Sequence, residues 1–320
     1  KSYRKKYENA IPLHVYDAWQ STLAIYSQNS LSINEKLNFG YGLRLQNNNI
    51  AIGDRLDKNA PDYGGWQSEH DTFSDKETNY SYNLGFDNKI NNNIKFYGRI
   101  GSGFRYANID DRIGGSGDTS LELNTQKSND YEIGLDSNFN NFTSSISTYL
   151  INGQNELTYD ADAFQNINMN STRRYGYEIS TNNRISKNIF LTSDLTYAKA
   201  KYTSENQGTY ATDFKDNDVP LVPEYSFNTS LELKITDFTN IISSIKYQDD
   251  MRMESDDENF QDTKIPNHLV FDISISSEIS EYLITNLTVT NLFDQKYHNY
   301  AVASSNTLVH IMLIQNQVEK

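Results

Sequence analysis

Read with a period of two, segment after segment of this chain separates into one apolar and one polar face. Leu37, Phe39, Tyr41 and Leu43 alternate with Asn38, Gly40, Gly42 and Arg44. Tyr80, Tyr82, Leu84 and Phe86 alternate with Asn79, Ser81, Asn83 and Gly85, and Tyr131, Ile133 and Leu135 oppose Glu132, Gly134 and Asp136. The division recurs around Tyr175, Tyr177 and Ile179, around Leu191, Leu195 and Tyr197, around Phe227, Leu231 and Leu233, and around Leu269, Phe271, Ile273 and Ile275. Helical spacing fits none of these segments, so the pattern predicts an all-β chain.

The connections carry a second signal. Short polar links fall at residues 32–35, 87–93, 136–141, 183–187, 236–237 and 277–281, and longer Asp-, Asn-, Gly- and Ser-rich stretches at 51–76, 106–125, 158–166, 203–218 and 254–262. The two kinds alternate strictly, which predicts an antiparallel transmembrane β-barrel with tight turns at one rim and long loops at the other. The segments run about 12–17 residues, whereas about 9–11 tilted residues cross the hydrocarbon. About twelve strands fit between Ser21 and His298, with a thirteenth expected after Ser304. Arg44, Glu132, Glu178, Asp194, Glu232 and Asp272 all fall on the polar face. An Arg or Lys facing the bilayer midplane costs about 2–4 kcal/mol, so that face is expected to line a hydrated interior. A soluble β-sandwich also alternates; the asymmetry of the links and the strand length favour the barrel.

Composition then narrows the function. A mean hydropathy of −0.70 would suit a disordered polar chain, but 23 Tyr and 15 Phe argue against it. With 42 acidic and 28 basic residues the net charge is −14, which opposes a nucleic-acid partner. The absence of Cys removes disulfides, thiolate metal sites and a Cys nucleophile. No apolar run is long enough for a transmembrane helix, and the opening residues KSYRKKYENAIPLH hold no apolar core of a signal peptide. His14, His70, His268, His298 and His310 lack metal-ligand spacing. The acidic stretch 249–262 lacks the spacing of a calcium loop and is expected to be a solvated outer loop. For hydrolysis, the close grouping is Ser68, His70 and Asp71, a combination that arises readily in polar loops. The chain is therefore expected to be no enzyme and to carry no cofactor.

Four motifs share one direction. Asn-Leu-Phe-Asp-Gln-Lys-Tyr at residues 291–297 follows a strand, and Gly-Phe-Arg-Tyr-Ala-Asn-Ile-Asp occupies 103–110. Gln126-Lys127-Ser128 precedes Tyr131-Glu132-Ile133-Gly134-Leu135, and Arg173-Arg174-Tyr175-Gly176-Tyr177-Glu178 lies further on. In this order they resemble the NLFD-x-x-Y, Gly-Phe-Arg-Ala-Pro-Asn, K-S-x-x-Y-E-x-G and R-x-x-G-x-E signatures of TonB-dependent outer-membrane receptors, with the family's proline missing from the second. The resemblance implies an energised importer in the outer membrane of a Gram-negative bacterium, taking up a ferric siderophore or, less often, cobalamin or haem. It implies TonB, an iron–siderophore or similar ligand and outer-membrane lipid as partners, and an N-terminal plug inside a barrel of about 22 strands. Twelve or thirteen strands and no plug-like segment make this chain the expected C-terminal portion of such a barrel, residues 1–320, since a partial barrel alone would leave two strand edges unpaired in lipid. No His occurs between Gly103 and Thr125, which disfavours haem. A smaller passive porin is the competing reading.

Under that resemblance, candidate ligand-binding residues are Tyr63, Trp66 and Phe73, which could stack on a flat catecholate, and Arg105 and Tyr106 at a strand end. Glu132 and Glu178 are expected in wall-to-wall salt bridges, Gly103, Gly134 and Gly176 at bends or close approaches, and Phe293, Tyr297 and Tyr300 in an interfacial girdle. Residues 310–320, HIMLIQNQVEK, depart from the family's closing turn and terminal aromatic strand. One permitted codon spelling of that stretch, read from its third base, yields YNAYPESGRE, close to the expected turn; the tail is read as frameshifted, which the nucleotide sequence decides.

Overall fold

The computed structural model describes residues 14–56, 72–113, 122–160, 165–203, 214–260 and 262–303. In chain order the elements are β1 (His14–Ser32), β2 (Leu37–Leu56), β3 (Phe73–Lys89), β4 (Ile94–Arg105), α1 (Ile109–Ile113), β5 (Gln126–Phe139), β6 (Phe142–Gln154), β7 (Leu157–Asp160) and β8 (Gln165–Asn168). They continue with β9 (Thr172–Ser186), β10 (Ile189–Tyr202), β11 (Tyr225–Lys234), β12 (Thr239–Gln248), β13 (His268–Ser280) and β14 (Leu283–Val289). Twelve of the strands form one antiparallel sheet whose spatial order is the chain order, with the β7–β8 hairpin set apart as a second sheet. The large sheet is open: β1 and β14 each have one neighbour.

Register makes the two faces continuous, because directly paired residues point the same way. Leu84, Ile100, Tyr131, Leu150 and Tyr175 form one row across β3, β4, β5, β6 and β9. The adjacent row, on the opposite face, is Gly85, Arg99, Glu132, Tyr149 and Gly176. Leu43 and Ile133 are 60% and 52% exposed on the apolar face, so the sheet leaves its greasy side uncovered instead of burying it. Arg44, Glu132, Glu178, Asp194, Glu232 and Asp272 all lie on the polar face, as the alternation predicts.

The apolar band has a readable height. On β2 it runs from Leu37 through Phe39, Tyr41 and Leu43 to Leu45, and then the same face carries Asn47 and Asn49. Above that level the polarity inverts: Ile50 and Ile52, on the other face, are 2% exposed. The band therefore matches the roughly 9–11 residues of a membrane-crossing strand, and the remainder of β2 projects beyond it. Aromatic rows flank the band on both sides. Phe39, Phe86 and Phe96 meet at 6.3 and 5.6 Å near the short turns. Tyr177, Tyr197 and Tyr225 meet at 5.0 Å each near the long loops.

Turn chemistry explains the short links. Asn34 Oδ1 accepts from the backbone of Lys36 and Leu37, and Asn91 Oδ1 from Asn93 and Ile94, all at 2.8–2.9 Å. Such side-chain closures mimic a backbone turn and satisfy donors that the ladder cannot reach. The strands extend further than expected at the other rim, where β1 and β2 reach 19 and 20 residues. In and beside the polar stretch 158–166 the described residues pair as two short strands, β7 and β8. The thirteenth strand expected after Ser304, and the tail 310–320, lie outside the described residues.

Two motifs gain a physical reason here. Without a Cβ, Gly134 leaves a slot for Tyr97; an added Cβ would stand 2.5 Å from the Tyr97 ring. From there the Tyr97 hydroxyl donates to Glu132 at 3.0 Å, while Arg99 pairs with the same carboxylate at 2.6 Å. The expected wall bridge of Glu132 is thus present; Glu178 is exposed and, among the described residues, holds no ion pair. After β14, Asn291 (φ 51) and Asp294 (φ 50) adopt left-handed backbone, and the Asn291 amide brackets Gln295 at 2.9 and 3.0 Å. Phe293 packs edge-on against Phe271 at 5.0 Å on the apolar face. Tyr297 and Tyr300 do not join a girdle: the turn carries them back into the loops, where Tyr297 stacks on His268 at 4.4 Å and Tyr300 donates to Glu254.

Two substitutions separate the faces. Ile133→Arg is expected to lower stability in a bilayer by about 2–4 kcal/mol, whereas Glu178→Arg stays near neutral; denaturant titration in lipid vesicles measures both. Gly134→Val is expected to cost about 1–3 kcal/mol by overpacking against Tyr97, seen as a lower denaturation midpoint in the same titration.

Candidate ligand-binding site at the long-loop rim

The loop after β4 is built around one capped turn. Asp111 N–H donates to Asn108 Oδ1 at 2.8 Å, and Asn108 N–H donates back to Asp111 Oδ2 at 2.9 Å. This reciprocal arrangement is a capping box at the start of α1. Arg105, the last residue of β4, sets one nitrogen, Nη2, between both Asp111 carboxylate oxygens at 2.9 and 3.0 Å, yet its side chain remains 50% exposed. Tyr106 donates its hydroxyl to the Gln46 carbonyl of β2 at 2.8 Å and sets its ring edge-on to Phe104. Of the candidate ligand residues, Phe73, Arg105 and Tyr106 thus gather around α1. Tyr63 and Trp66 lie outside the described residues, as do Ser68, His70 and Asp71.

The residue that organises this cluster was not singled out in the sequence. Arg112, 3% exposed, donates to the carbonyls of Ala107 at 3.3 Å and Leu123 at 2.8 Å. Its guanidinium also lies over the Phe73 ring, 4.7 Å from the centroid. Burial pulls its pKa below the usual arginine value, and Asp75, Glu77 and Asp111 oppose that pull. Nothing in the string Asp-Asp-Arg distinguishes such an anchor from a surface charge, because its partners come from other segments.

The remaining loops also have a core. Met251, Met253, Ile265 and Ala301 are buried together, with Leu221 and Ala303 packed against them. The acidic stretch is therefore not the solvated loop that its composition suggests. Its methionines turn inward, and its carboxylates hold specific partners: Asp256 pairs with Arg252 at 2.9 Å, Asp250 with Lys264 at 2.7 Å, and Asp257 accepts from Tyr202. Asn259 and Asp218 clasp two loops through bonds of 2.7 and 2.9 Å. Glu156 takes both forks of Arg174 at 2.5 and 2.7 Å. Burial would raise the Glu156 pKa, but Arg174 and Thr172 outweigh it and hold the carboxyl below its usual range. Burial, together with neighbouring Asp257, pushes Glu254 above its usual value.

Chemically this rim is a braced polar surface of tyrosines, carboxylates and arginines, suited to recognition. Among the described residues no group of three or more His, Asp or Glu could hold a metal ion. Residues 5–292 match the family model described as TonB dependent receptor-like, beta-barrel. No curated protein sequence matches the chain. Among solved structures, the chain is similar to the ferric-catecholate import receptor Fiu from E. coli K12 (19% identity, TM-score 0.69, 90% of this chain and 42% of that one). It is similar to the ferric yersiniabactin uptake receptor FyuA from Yersinia pestis (16% identity, TM-score 0.74, 92% and 44%). The copper transporter OprC shares the fold as well (16% identity, TM-score 0.69, 88% and 44%). The chain thus spans about two-fifths of the length of these structures.

Removing the buried anchor tests the rim's construction. Arg112→Ala is expected to destabilise the α1 loop by about 3 kcal/mol, because Asp111, Asp75 and two carbonyls lose their cation; hydrogen exchange across residues 106–125 reports it. The Glu254 shift has the opposite sign to a salt-bridged carboxylate. Its folded pKa is raised, so its stabilising contribution is complete below the unfolded value and is lost as pH rises through the folded one. Glu254→Gln is therefore expected to protect the 249–267 and 290–303 loops from proteolysis at neutral pH, with the advantage vanishing in mild acid.

Proposed function

The chain belongs to the TonB-dependent receptor-like β-barrel family, and from that premise we propose that it forms part of the wall of an outer-membrane receptor importing a ferric siderophore. The observation that carries this reading is the family match across residues 5–292. The apolar face supports it as the lipid-facing surface, and the polar face as the wall of a hydrated lumen that holds a plug. Tight turns then face the periplasm and the long loops the outside. The open edges of β1 and β14 are closed by further strands of the same receptor, and TonB acts through the plug from the inner-membrane side. The named similar structures handle iron chelates in two cases and copper in one, and those chelates set the favoured ligand class. Like them, the chain is a transport receptor and not an enzyme.

Ligand approach is placed at the long-loop rim. The exposed side of the Arg105 guanidinium offers a charge to an anionic ferric chelate, and Tyr106 and Phe73 supply aromatic surface beside it.

Uptake of iron-55 as a ferric catecholate chelate is the test, in cells with and without the intact gene. Uptake is expected to require both the gene and an energised inner membrane, collapsing to the deletion background with a protonophore. Gene-dependent uptake that persists without energy and admits unrelated solutes of similar size would instead identify a passive porin. Within the rim, Arg105→Ala is expected to weaken chelate binding about tenfold, the scale of one charged hydrogen bond. Asp111→Asn, which loosens the same turn but leaves the guanidinium, should weaken it less; equal losses would reduce Arg105 to a brace.

A further inference from the structure

Charge on the apolar face is sorted by sign. From β2 to β14 the described positions sharing a face with Leu43, Ile133 and Leu231 include no Asp and no Glu, although the chain has 42 acidic residues. Edge strand β1 places Asp17 there. The same face carries Lys76, Lys127, Arg173, Lys199 and Lys201, all on the loop side of the aromatic rows. At the short-turn end of that face the strands carry no cation.

These cations are not equivalent. Lys199 and Lys201 are tied to the loop acids Glu224 at 3.3 Å and Asp218 at 2.6 Å. Lys127 and Arg173 are exposed, and no carboxylate pairs with either among the described residues. Arg173 is aimed by its Nε, which donates to Asn152 Oδ1 at 3.1 Å. Lys127 pairs in register with Gln154, and Arg173 with Asn152, so the two cations flank β6 from either side. Two strand spacings and a two-residue stagger along the strands separate their backbones, about 12 Å. The ground between is amide: Asn129, Asn152 and Gln154 share the face. One row towards the bilayer lie Tyr131, Leu150 and Tyr175.

A rim that merely met water would mix signs, as the turn residues at the opposite end do with Lys36, Lys187, Asp237 and Glu281. Two unpaired cations, donor amides beside them and an apolar shelf below form the complement of an amphiphile whose head is a phosphate. We propose that Lys127 and Arg173, with Asn129, Asn152 and Gln154, hold the phosphomonoester head of a lipid in the outer leaflet, its acyl chains lying on Tyr131, Leu150 and Tyr175. This rests on the apolar face being the lipid-facing one. Arg suits the oxygen fork of a phosphate, and juxtamembrane Lys and Arg draw anionic head groups.

The test uses the intact receptor in phosphatidylcholine nanodiscs, with retained lipid counted by native mass spectrometry. The probes are bisphosphorylated lipid A and its fully dephosphorylated form. Wild type is expected to retain the phosphorylated lipid about tenfold better, the double variant Lys127→Gln, Arg173→Gln to lose that preference, and Lys187→Gln at the opposite rim to keep it. Equal retention of both lipids by wild type, or an unchanged preference in the double variant, would overturn the site. Displacement of the lipid by excess inorganic phosphate would also overturn it, in favour of a free-anion site. If wild type does not enter the nanodisc at all, the lipid-facing reading itself falls, an outcome distinct from loss of preference within a stable disc.

Discussion

Hydrocarbon offers a peptide group nothing to bond with, and a sheet meets that constraint when every strand in the bilayer has a neighbour on each side. The strict order of the large sheet, each strand beside its sequence neighbour apart from the set-aside hairpin, is the simplest chain path that does so. It holds for side chains too. Polar groups on the apolar face find partners within the wall: Ser193 with Thr229 at 2.8 Å, Thr239 with Ser277 at 2.9 Å, and the Thr148 hydroxyl on the Gly176 carbonyl at 2.9 Å. With the backbone satisfied internally, the side chains are free to divide by face, grease one way and charge the other.

The same constraint explains why the two rims differ. At one end a side chain such as Asn34 or Asn91 closes the turn within a few residues, leaving little backbone to satisfy. At the other the strands run past the apolar band, the polarity of β2 inverts at Ile50 and Ile52, and the connections must bury something of their own. They do so in small cores: Met251 with Met253, Ile265 and Ala301, and Tyr202 with Ala200 and Val219. The buried Arg112 and the half-buried Arg174–Glu156 pair tie those loops to the strands. The rim is thus a braced platform at one end of the sheet, a form suited to presenting recognition residues to solvent.

What could be read from the sequence follows from the range of the interactions involved. The long strands from β2 to β13 announce themselves because their faces differ residue by residue, whereas β7 and β8 fall in a stretch that reads as a polar loop, and the placement of Glu132 and Asp272 on the polar face needs only parity. β1 is harder, since Ser27 and Asn29 interrupt the apolar face between Ile25 and Leu31, and the strand begins at His14 instead of near Ser21. The loop cores were hidden for a different reason. Tyr202 and Asp257 lie 55 residues apart and Tyr300 and Glu254 lie 46 apart, so no local window shows them. Met251 and Met253 sit inside a run of acids that reads as solvated. The Gly-Phe-Arg segment stands out in the sequence, but the burial of Arg112 beside it depends on Leu123 and Phe73, which only the fold brings near.

The central claim is that successive residues of one strand meet lipid and water in turn. The chain has no Cys, so single cysteines can be placed one at a time along β5 from Tyr131 to Ser137 and spin-labelled in the intact receptor in bilayers. Collisions with oxygen, enriched in lipid, should peak at 131, 133 and 135, and collisions with an aqueous nickel chelate at 132, 134 and 136. Uniform access to the chelate at all these positions, or a repeat nearer 3.6 residues, would be incompatible with a membrane wall built from this sheet.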